Sequence, residues 1–397
     1  MQPAEGCWRA TQPHSRLALF YFAYFAMLGA YAPYFALYLR SLHFTPQQIG
    51  VLLGLVPVVR IVVPGLWAWV ADHRGTRRQL VLATTLAATV VSSGLLLGES
   101  FAWLFGVLLF LNLFWSASLP LVEASTLGHL QGQLGQYGRI RVWGSVSFIL
   151  AVALLGPVFD HTGIALLPAL LLGMFALLAA CAWMLPPDPP TGAHASHEPL
   201  GRTLLRPEVI ALFAACFLMS VAHGPYHAFY SIHLVDSGYS NSAVGVLWAV
   251  SVIAEILVFL WMPAILRRFS IGTVIGFSLL CAAVRFVVIG WAVDHVAAIA
   301  LAQLLHAATF GAHHAAALAA VHHFFKGRYQ ARGQALYSAL GFGAGGAVGM
   351  FASGWLWTHL GPALTFACGS AAAVLAFALV VAWLRVPPAA TVAPSGA

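Results

Sequence analysis

The chain is a succession of apolar runs, each close to the ~20 residues that a helix needs to cross the ~30 Å hydrocarbon layer of a bilayer. Twelve membrane-spanning helices are predicted, at 17–39, 49–70, 79–97, 101–127, 140–159, 164–185, 208–234, 242–265, 271–293, 296–322, 331–358 and 362–385. The pattern therefore predicts an all-α polytopic membrane protein.

Composition excludes a soluble enzyme carrying one anchor. Hydrophobic residues make up 61% of the chain and charged residues 7%, whereas a soluble domain has about 25% charged residues. The first run is too long for the apolar core of a signal peptide and lacks a small-residue cleavage site, so we expect it to remain as the first helix.

A polar stretch rich in proline and histidine divides the predicted helices into two sets of six. The predicted organisation is an N-terminal tail (1–16), a first six-helix half (17–185), a linker (186–207), a second six-helix half (208–385) and a C-terminal tail (386–397). Paired halves are typical of secondary transporters, whose solute site lies between the repeats near the midplane. Gly341, Gly345 and Gly349 recur every fourth residue, which predicts a close helix contact or a hinge.

Basic residues predict the orientation, because cytoplasmic loops retain Lys and Arg. They occupy the two termini, the linker and every second gap, whereas the other gaps hold Glu99, Asp160, Asp236 and Asp294 with Arg40. Both termini and the linker are therefore predicted to be cytoplasmic, in a bacterial inner membrane. The net charge of +7 reflects this topology, so we expect no nucleic-acid partner.

Metal and cofactor chemistry is not predicted. The five cysteines are scattered without CxxC spacing. His223 and His227 share a helical face, as do His306 and His313, but no carboxylate or thiolate stands beside them. Proton relay, hydrogen bonding to a solute and ordinary core packing remain open for these histidines.

Four charged residues lie well inside predicted spans: Arg60, Glu123, Glu255 and Arg285. Arg139 and Arg141 lie at the start of span five, where either could reach the cytoplasm or turn inward. Such residues cost a few kcal/mol or more in a bilayer, and they usually pair or line a functional passage. Glu255 and Arg285 are expected to alternate between a neutral and a paired state, or to form a static salt bridge.

Polar side chains of span four should face a cavity. Asn112, Ser116 and Glu123 fall within about 40° on a helical wheel. A solute carboxylate would need a cation in such a cavity, and Arg141 or Arg60 could supply a bidentate donor.

Tyr24, Tyr31 and Tyr38 recur every seventh residue of span one and share one face. They would offer an aromatic wall to a ring. Helix packing or interfacial anchoring would produce the same stripe.

The loop after span two carries Gly65, Asp72, Gly75, Arg77 and Arg78. It resembles the signature loop of the major facilitator superfamily, Gly-x-x-x-Asp-x-x-Gly followed by paired basic residues. In this interpretation Gly65 allows two helices to touch, Asp72 pairs with a cation or a helix N-terminus, and Gly75 turns the chain. The resemblance implies the major facilitator fold and transport by rocking of the two halves.

Five short segments resemble lactose-permease-like proton symporters: Val122 to Ala124, Tyr137 to Gly144, Ala254-Glu255, Val284-Arg285 and Leu305-His306. The resemblance implies that Glu123 and Arg141 grip the solute. It also implies that Glu255, Arg285 and His306 couple transport to protons. The proton-carrying acid of that group, three residues after the histidine, is replaced by Thr309.

Longer stretches resemble the phenylpropionate permease branch, namely YGRIRVWGSVS from Tyr137, GYSNSAVGVLW from Gly238 and QLLHAATF from Gln303. That resemblance implies proton-coupled uptake of a small aromatic carboxylate by a monomer in the lipid bilayer. The predicted solute contacts are Tyr24, Tyr31, Arg60, Asn112, Glu123 and Arg141 on one side and His227, Glu255 and His306 on the other.

Other functions remain open. The pairing of Glu123 with Arg141 would suit a sugar or nucleoside, and the aromatic content would suit a drug/proton antiporter. A membrane enzyme lacks support because no nucleophile triad, phosphate loop or metal signature occurs. A sensor lacks a sizeable soluble domain.

Overall fold

The computed structural model describes residues 5–74, 77–130, 134–188 and 201–386, and within these ranges all regular structure is helical. The helices before the linker are α1 (Glu5–Ser41), α2 (Pro46–Arg74), α3 (Arg77–Ser92), α4 (Phe101–Leu130), α5 (Leu134–Thr162) and α6 (Leu167–Trp183). Those after it are α7 (Gly201–Leu204), α8 (Pro207–Ala222), α9 (Gly224–Asp236), α10 (Asn241–Arg268), α11 (Ile271–Trp291), α12 (Val296–Leu304), α13 (His313–Phe324), α14 (Gln330–Tyr337) and α15 (Gly346–Trp383). The predicted all-α class is confirmed.

Eleven segments of the described chain are long and apolar enough to cross a membrane, one fewer than predicted. The difference lies in the last segment, Gln330–Trp383, a single run of 54 residues. A straight helix of that length would measure about 81 Å, far more than the ~30 Å apolar layer. Gly361 interrupts the run with a φ of 78°, and Pro362 comes directly after it. The interruption falls between the predicted spans 331–358 and 362–385.

Three predicted spans are interrupted along their length by a helix break or a π-helical turn. The helix breaks at His223, between α8 and α9, because Pro225 lacks the N–H group that would extend α8. A π-helical turn, Ala307–Ala312, comes after His306 and separates α12 from α13, and a second, Ser338–Gly345, precedes α15. Such turns are rare and are frequent at functional sites. The breaks at His223 and after His306 both lie beside histidines at membrane depth.

The first compact unit comprises Met1–Phe44, Val62–His194 and Ser240–Val246. At the end of α5, Asp160 accepts hydrogen bonds from the backbone N–H groups of Asn241 (2.8 Å) and Ser242 (3.0 Å). These are the first two residues of α10, so the carboxylate satisfies two donors that a helix N-terminus leaves unpaired.

The second compact unit comprises Thr45–Ile61, Ala195–Tyr239 and Leu247–Ala397. A Cβ atom added at Gly345 would lie 2.5 Å from the Phe217 carbonyl oxygen, and one at Gly349 would lie 2.8 Å from the Val221 carbonyl oxygen. The backbone of α8 therefore approaches this glycine pair closely. The predicted close helix contact is confirmed at these two positions.

The two units do not coincide with the predicted halves, because α2 divides after Ile61 and α10 divides after Val246. The predicted linker is described at 186–188 and 201–207, and the rest of it lies outside the described residues. The same holds for 1–4 and 387–397 of the predicted tails. The halves and tails therefore stay predictions.

Large apolar side chains cover the outer helix faces. Leu154, Trp183, Leu260, Trp261 and Val381 each expose more than half of their surface. Soluble monomers rarely expose contiguous apolar patches larger than a few hundred Å². This surface fits a lipid environment, as expected of a multi-pass membrane protein.

We predict opposite effects on stability for two glycine-to-alanine changes. Gly345→Ala should lower the free energy of unfolding by about 1–3 kcal/mol, because the new methyl group overlaps the α8 backbone. Gly173→Ala in α6 meets no atom within 4 Å, and the better helix propensity of alanine should raise stability by up to about 1 kcal/mol. Thermal unfolding in detergent measures both changes. Equal melting temperatures for the two variants would contradict the contact.

Candidate functional site

Arg285 of α11 lies completely buried in the second unit. Its Nε–H donates to the Ala302 carbonyl oxygen (2.9 Å), Nη1 donates to Thr309 Oγ1 (3.2 Å) and Nη2 donates to Gln303 Oε1 (3.4 Å). The guanidinium lies 4.2 Å from the centroid of the Tyr226 ring. All these partners are neutral, and no carboxylate of the described chain lies within ion-pair distance of this cation. Three of its five N–H donors are used, so it can still bind an acceptor.

Glu255 of α10 faces a histidine. Its Oε2 lies 3.7 Å from His306 Nε2, a distance that makes an ion pair when the imidazole is protonated. Gly311 leaves room for it, since a Cβ atom there would lie 3.1 Å from Glu255 Cγ. Arg285 was expected to approach this carboxylate. In the described chain, the contacts of Arg285 do not include Glu255. Glu255 and His306 form the pair instead.

His223 and His227 continue this cluster at the break between α8 and α9. His223 Nδ1–H donates to the Met219 carbonyl oxygen at 2.8 Å, so in a neutral ring Nε2 is left as an acceptor. Its ring lies 5.9 Å from that of His227 and 6.4 Å from that of His306, between centroids. Arg60 belongs to the same compact unit as these histidines. The structure therefore groups Arg60 with the histidines, whereas the sequence pattern placed it with the residues of the first half.

Aromatic rings border the cluster. Tyr226 packs against Tyr230 (4.8 Å between centroids) and Trp248 (5.1 Å), and its hydroxyl donates to Gln303 Oε1 at 3.1 Å. Trp248 Nε1–H donates to Ser231 Oγ at 3.2 Å. Sequence reasoning missed all five residues. Only Gln303 could have been recognised from the sequence, because it is an uncharged polar side chain inside an apolar run.

Arg141 of α5 turns inward in the first unit. Its guanidinium carbon lies 3.9 Å from the centroid of the Phe25 ring and 5.7 Å from that of Tyr21. Gly144 provides the space, since a Cβ atom there would lie 2.9 Å from Arg141 Nη1. Arg139, two residues earlier, is exposed. Of the two arginines that open this span, Arg141 therefore occupies the interior.

Glu123 of α4 shares this region of the first unit. The Tyr137 hydroxyl donates to Glu123 Oε1 at 3.4 Å. Arg141 lies within electrostatic range of the carboxylate, but the two do not form a direct ion pair in the described chain. The structure thus brings the predicted Glu123 and Arg141 together, with Tyr137 beside them.

Tyr24, Tyr31 and Asn112 are buried within the first unit. The rings of Tyr24 and Tyr31 lie 5.9 Å and 5.4 Å from Trp115, between centroids. Asn112 Nδ2 donates to the Leu108 carbonyl oxygen of its own helix at 2.7 Å. These contacts fit helix packing, and a role in solute binding stays a prediction for all three residues.

The predicted signature loop is described in part. Gly65 is exposed, and a Cβ atom there would meet no atom within 4 Å. The helix contact expected at Gly65 therefore stays a prediction. The side chain of Asp72 and the whole of Gly75 lie outside the described residues.

The basic pair of this loop is described, and Arg77 is half-buried. The Arg78 backbone N–H donates to Asp188 Oδ2 and its Nη2 donates to the Trp183 carbonyl oxygen, both at 2.9 Å. Arg78 thus ties the start of α3 to the end of α6, a contact that the sequence did not predict.

A metal site is not suggested by this arrangement. Among the residues whose placement is described, no group of three or more His, Cys, Asp or Glu lies close enough to hold an ion. The histidines instead contact aromatic rings, backbone carbonyl groups and Glu255.

The apolar outer surface and the all-helical fold are those of a multi-pass membrane protein. The profile of the MFS_1-like family matches residues 14–368. The chain belongs to that family. Transporters of this fold are not enzymes, which agrees with the expectation from the sequence.

Three similar proteins illustrate the family. The "Probable 3-phenylpropionic acid transporter" of Escherichia coli (strain K12) is 33% identical over 356 residues, which cover 87% of this chain and 91% of that protein. The maltose permease of Geobacillus stearothermophilus is 26% identical over 345 residues, covering 85% and 86%. The crystal structure of a variant of the nucleoside transporter NupG has a TM-score of 0.84 at 16% identity and covers 94% of this chain and 100% of that one. The fold is therefore shared with transporters whose names give different solutes.

We predict that Thr309→Val destabilises the protein through Arg285. Loss of the hydroxyl removes an acceptor and leaves a buried N–H unsatisfied, which should cost about 1–3 kcal/mol. Thr365→Val is the matched control, because that buried hydroxyl bonds only the Gly361 carbonyl of its own helix.

Thermal unfolding in detergent measures both changes, and a double-mutant cycle attributes the effect. In an Arg285→Met background the Thr309 change should have little further effect. An equal loss in both backgrounds would show that Thr309 does not act through Arg285.

Proposed function

We propose that the protein is a proton-coupled symporter that takes up a small aromatic carboxylate, such as 3-phenylpropionate, by alternating access. The observation that carries this proposal is the burial of Arg285 without a carboxylate partner in the described chain. A buried charge is costly unless it is paired. A solute carboxylate would supply the missing counter-ion and two oxygen acceptors for the guanidinium fork.

Access is part of this proposal. Arg285 is fully enclosed in this structure, so a solute would reach it only when the surrounding helices part. The rocking motion expected of this fold would provide such a state. The break at His223 and the π turn after His306 lie beside the cluster, where the helices are least regular.

The aromatic rings would accommodate the apolar part of the solute. In the second unit Tyr226 lies next to the Arg285 guanidinium, and Trp248 packs against Tyr226. Phe25 and Tyr21 lie next to Arg141 in the first unit. Each arginine thus has rings beside its charge, the combination that a phenyl ring with a carboxylate requires. The name of the Escherichia coli relative agrees with this solute class.

Glu255 and His306 are proposed to carry the coupled proton. The acid expected at the position of Thr309 is absent, and Thr309 Oγ1 accepts from Arg285 instead. Glu255 is the one carboxylate of α8 to α15 at the centre of a predicted span. Protonation of Glu255 or His306 would change their interaction across 3.7 Å, and a nearby solute anion would influence which form is favoured.

A neutral solute is the second candidate. Glu123, with Tyr137 beside it, could accept hydrogen bonds from sugar or nucleoside hydroxyls. The similarities to the maltose permease and to NupG favour that interpretation.

We predict that Glu255→Gln abolishes proton-driven accumulation. In proteoliposomes with an acidic exterior, the wild type should accumulate labelled 3-phenylpropionate about tenfold per pH unit for one coupled proton. The variant should still exchange labelled for unlabelled solute, while losing the response to the gradient. Glu99→Gln, an exposed glutamate, should behave like the wild type.

Protein-free liposomes are needed alongside, because the neutral acid itself crosses lipid and accumulates in an alkaline interior. If uptake by the wild type above that background did not depend on the pH gradient, the coupling proposal would be wrong. It would also be wrong if the Glu255 variant kept the full response.

We predict that Arg285→Gln removes the preference for an acid. The wild type should bind 3-phenylpropionate more tightly than the neutral amide of that acid. Loss of a charged hydrogen bond worth about 1.5–3 kcal/mol should weaken binding of the acid roughly 10- to 150-fold and leave the amide nearly unaffected. Arg139→Gln, which changes an exposed arginine, is the control.

Thermal shift of the purified protein gives both affinities, with maltose and uridine as competitors. If Arg141→Gln instead removed the acid preference, the anchor would lie in the first unit. Displacement by maltose or uridine, with no response to either aromatic compound, would reject the aromatic carboxylate.

A further inference from the structure

The second unit contains a groove on its outer face that the transport proposal does not use. It lies between the start of α11 and the end of α15 and has a volume of about 800 Å³. Its walls are mostly apolar, formed by Phe277, Leu280, Phe377, Val380 and Val381. Phe277 and Val381 expose 61% and 64% of their surface, so the groove is open to the surroundings of the protein.

The groove has a polar, positively charged end. Arg385, Ser270 and Thr273 line it there. Arg385 is exposed, and its guanidinium has no hydrogen-bond or ion-pair partner among the described residues. Arg267 and Arg268, also exposed, lie just before Ser270 in the chain. The apolar walls thus lead to Arg385, and two further exposed arginines stand next to the groove in the sequence.

No acidic residue lies near this end of the groove along the sequence. None occurs between Glu255 and Asp294, and none occurs from Asp294 to the end of the chain. Both helices that line the groove, α11 and α15, are therefore free of carboxylates. The charge of the rim complements an anion, and the walls complement hydrocarbon.

The length of the groove matches one leaflet of a bilayer. Its lining at α11 runs from Ser270, the residue before the helix, to Leu280. These ten residue steps rise about 15 Å, or half of the ~30 Å hydrocarbon layer. The arginines lie at the end that the basic-residue pattern predicts to be cytoplasmic, where anionic lipids attract Lys and Arg.

Two glycines set its shape. A Cβ atom at Gly272 would lie 2.7 Å from the Leu384 carbonyl oxygen, so α11 and the end of α15 meet closely there. At Gly276 a Cβ atom would lie 3.4 Å from the Phe377 ring, an ordinary contact. A methyl group is therefore tolerated at Gly276, and a longer side chain would extend into the groove.

We propose that this groove is a binding site for an anionic phospholipid. One acyl chain lies against Phe277, Leu280 and Val381, and the phosphate group binds Arg385, with Arg268 nearby. The inference stands independently of the solute and of proton coupling.

The test uses the purified full-length chain, delipidated and titrated with phosphatidylglycerol or with phosphatidylcholine of the same acyl chains. Native mass spectrometry counts bound lipid, and thermal unfolding measures stabilisation. The wild type should retain phosphatidylglycerol in preference to phosphatidylcholine. Arg385→Gln should weaken phosphatidylglycerol binding about fivefold, since one arginine near the headgroups contributes about 1 kcal/mol. Arg206→Gln, an exposed arginine outside the groove, should not.

A second pair of variants tests whether the acyl chain binds in the groove. Gly276→Leu should abolish retention of phosphatidylglycerol, whereas Gly173→Leu on α6 should leave it unchanged. Leu280→Trp provides an independent way to fill the groove if the glycine variant folds poorly. Equal binding of the two lipids, equal effects of Arg385→Gln and Arg206→Gln, or full retention by both filled variants would each overturn the proposal.

Discussion

A helix in a bilayer must satisfy its own backbone hydrogen bonds, because hydrocarbon offers none. Departures from regular helix are therefore expensive unless a neighbour within the protein compensates for them. Here they include the break at His223, the π turn Ala307–Ala312, the π turn Ser338–Gly345 and the bend at Gly361. The first two adjoin the buried polar cluster of the second unit. The turn after His306 also brings Gly311 against Glu255. A side chain at position 311 would press on the Glu255 side chain. The irregular backbone thus determines which polar groups meet.

Charge is distributed unevenly along the chain, and this shapes the ligands it can bind. All eleven acidic residues lie at or before Asp294, so α12 to α15 contribute none. Arg285 accordingly finds only neutral acceptors on the next span, and Arg385 has no acidic residue on the helix beside it. The proposed solute site and the proposed lipid groove both rest on this deficit. In each, a cation beside apolar walls offers an anionic amphiphile the counter-charge and the apolar contact that it needs.

The apolar runs predicted the helices well, because the length needed to cross a bilayer is a property of the segment alone. The predicted boundary between 331–358 and 362–385 falls at Gly361, which bends the chain without a polar gap. Contacts between helices were predicted less well. Glu255 was expected beside Arg285 and lies beside His306, and Arg60 belongs to the compact unit of His227. Such pairings depend on the rotation and tilt of each helix, and the extra residue of a π turn rotates the rest of the helix by about 100°.

Glycine spacing shows the same distinction. The repeat that includes Gly345 and Gly349 correctly predicted a close contact, because three glycines on one face leave a groove for another backbone. The single Gly65 of the signature loop belongs to no such repeat, and a Cβ atom there would meet no atom within 4 Å. A motif recognised by resemblance indicates the family, whereas the contact that a residue makes must be read from the fold.

Thr309 links the coupling proposal to the choice of solute. An acid at this position, as the resemblance to lactose-permease-like symporters would imply, would neutralise Arg285 from within the protein and leave no need for an anionic solute. Threonine keeps a hydrogen-bond acceptor 3.2 Å from Nη1 but adds no charge. Under the proposed function, the solute therefore completes an ion pair that the chain leaves open. The coupled proton must then be carried by another group. Glu255 and His306 lie close together, so their protonation would respond when the solute carboxylate pairs with Arg285. The side chain of Thr309 thus connects the charge of the solute with the choice of the residue that carries the proton.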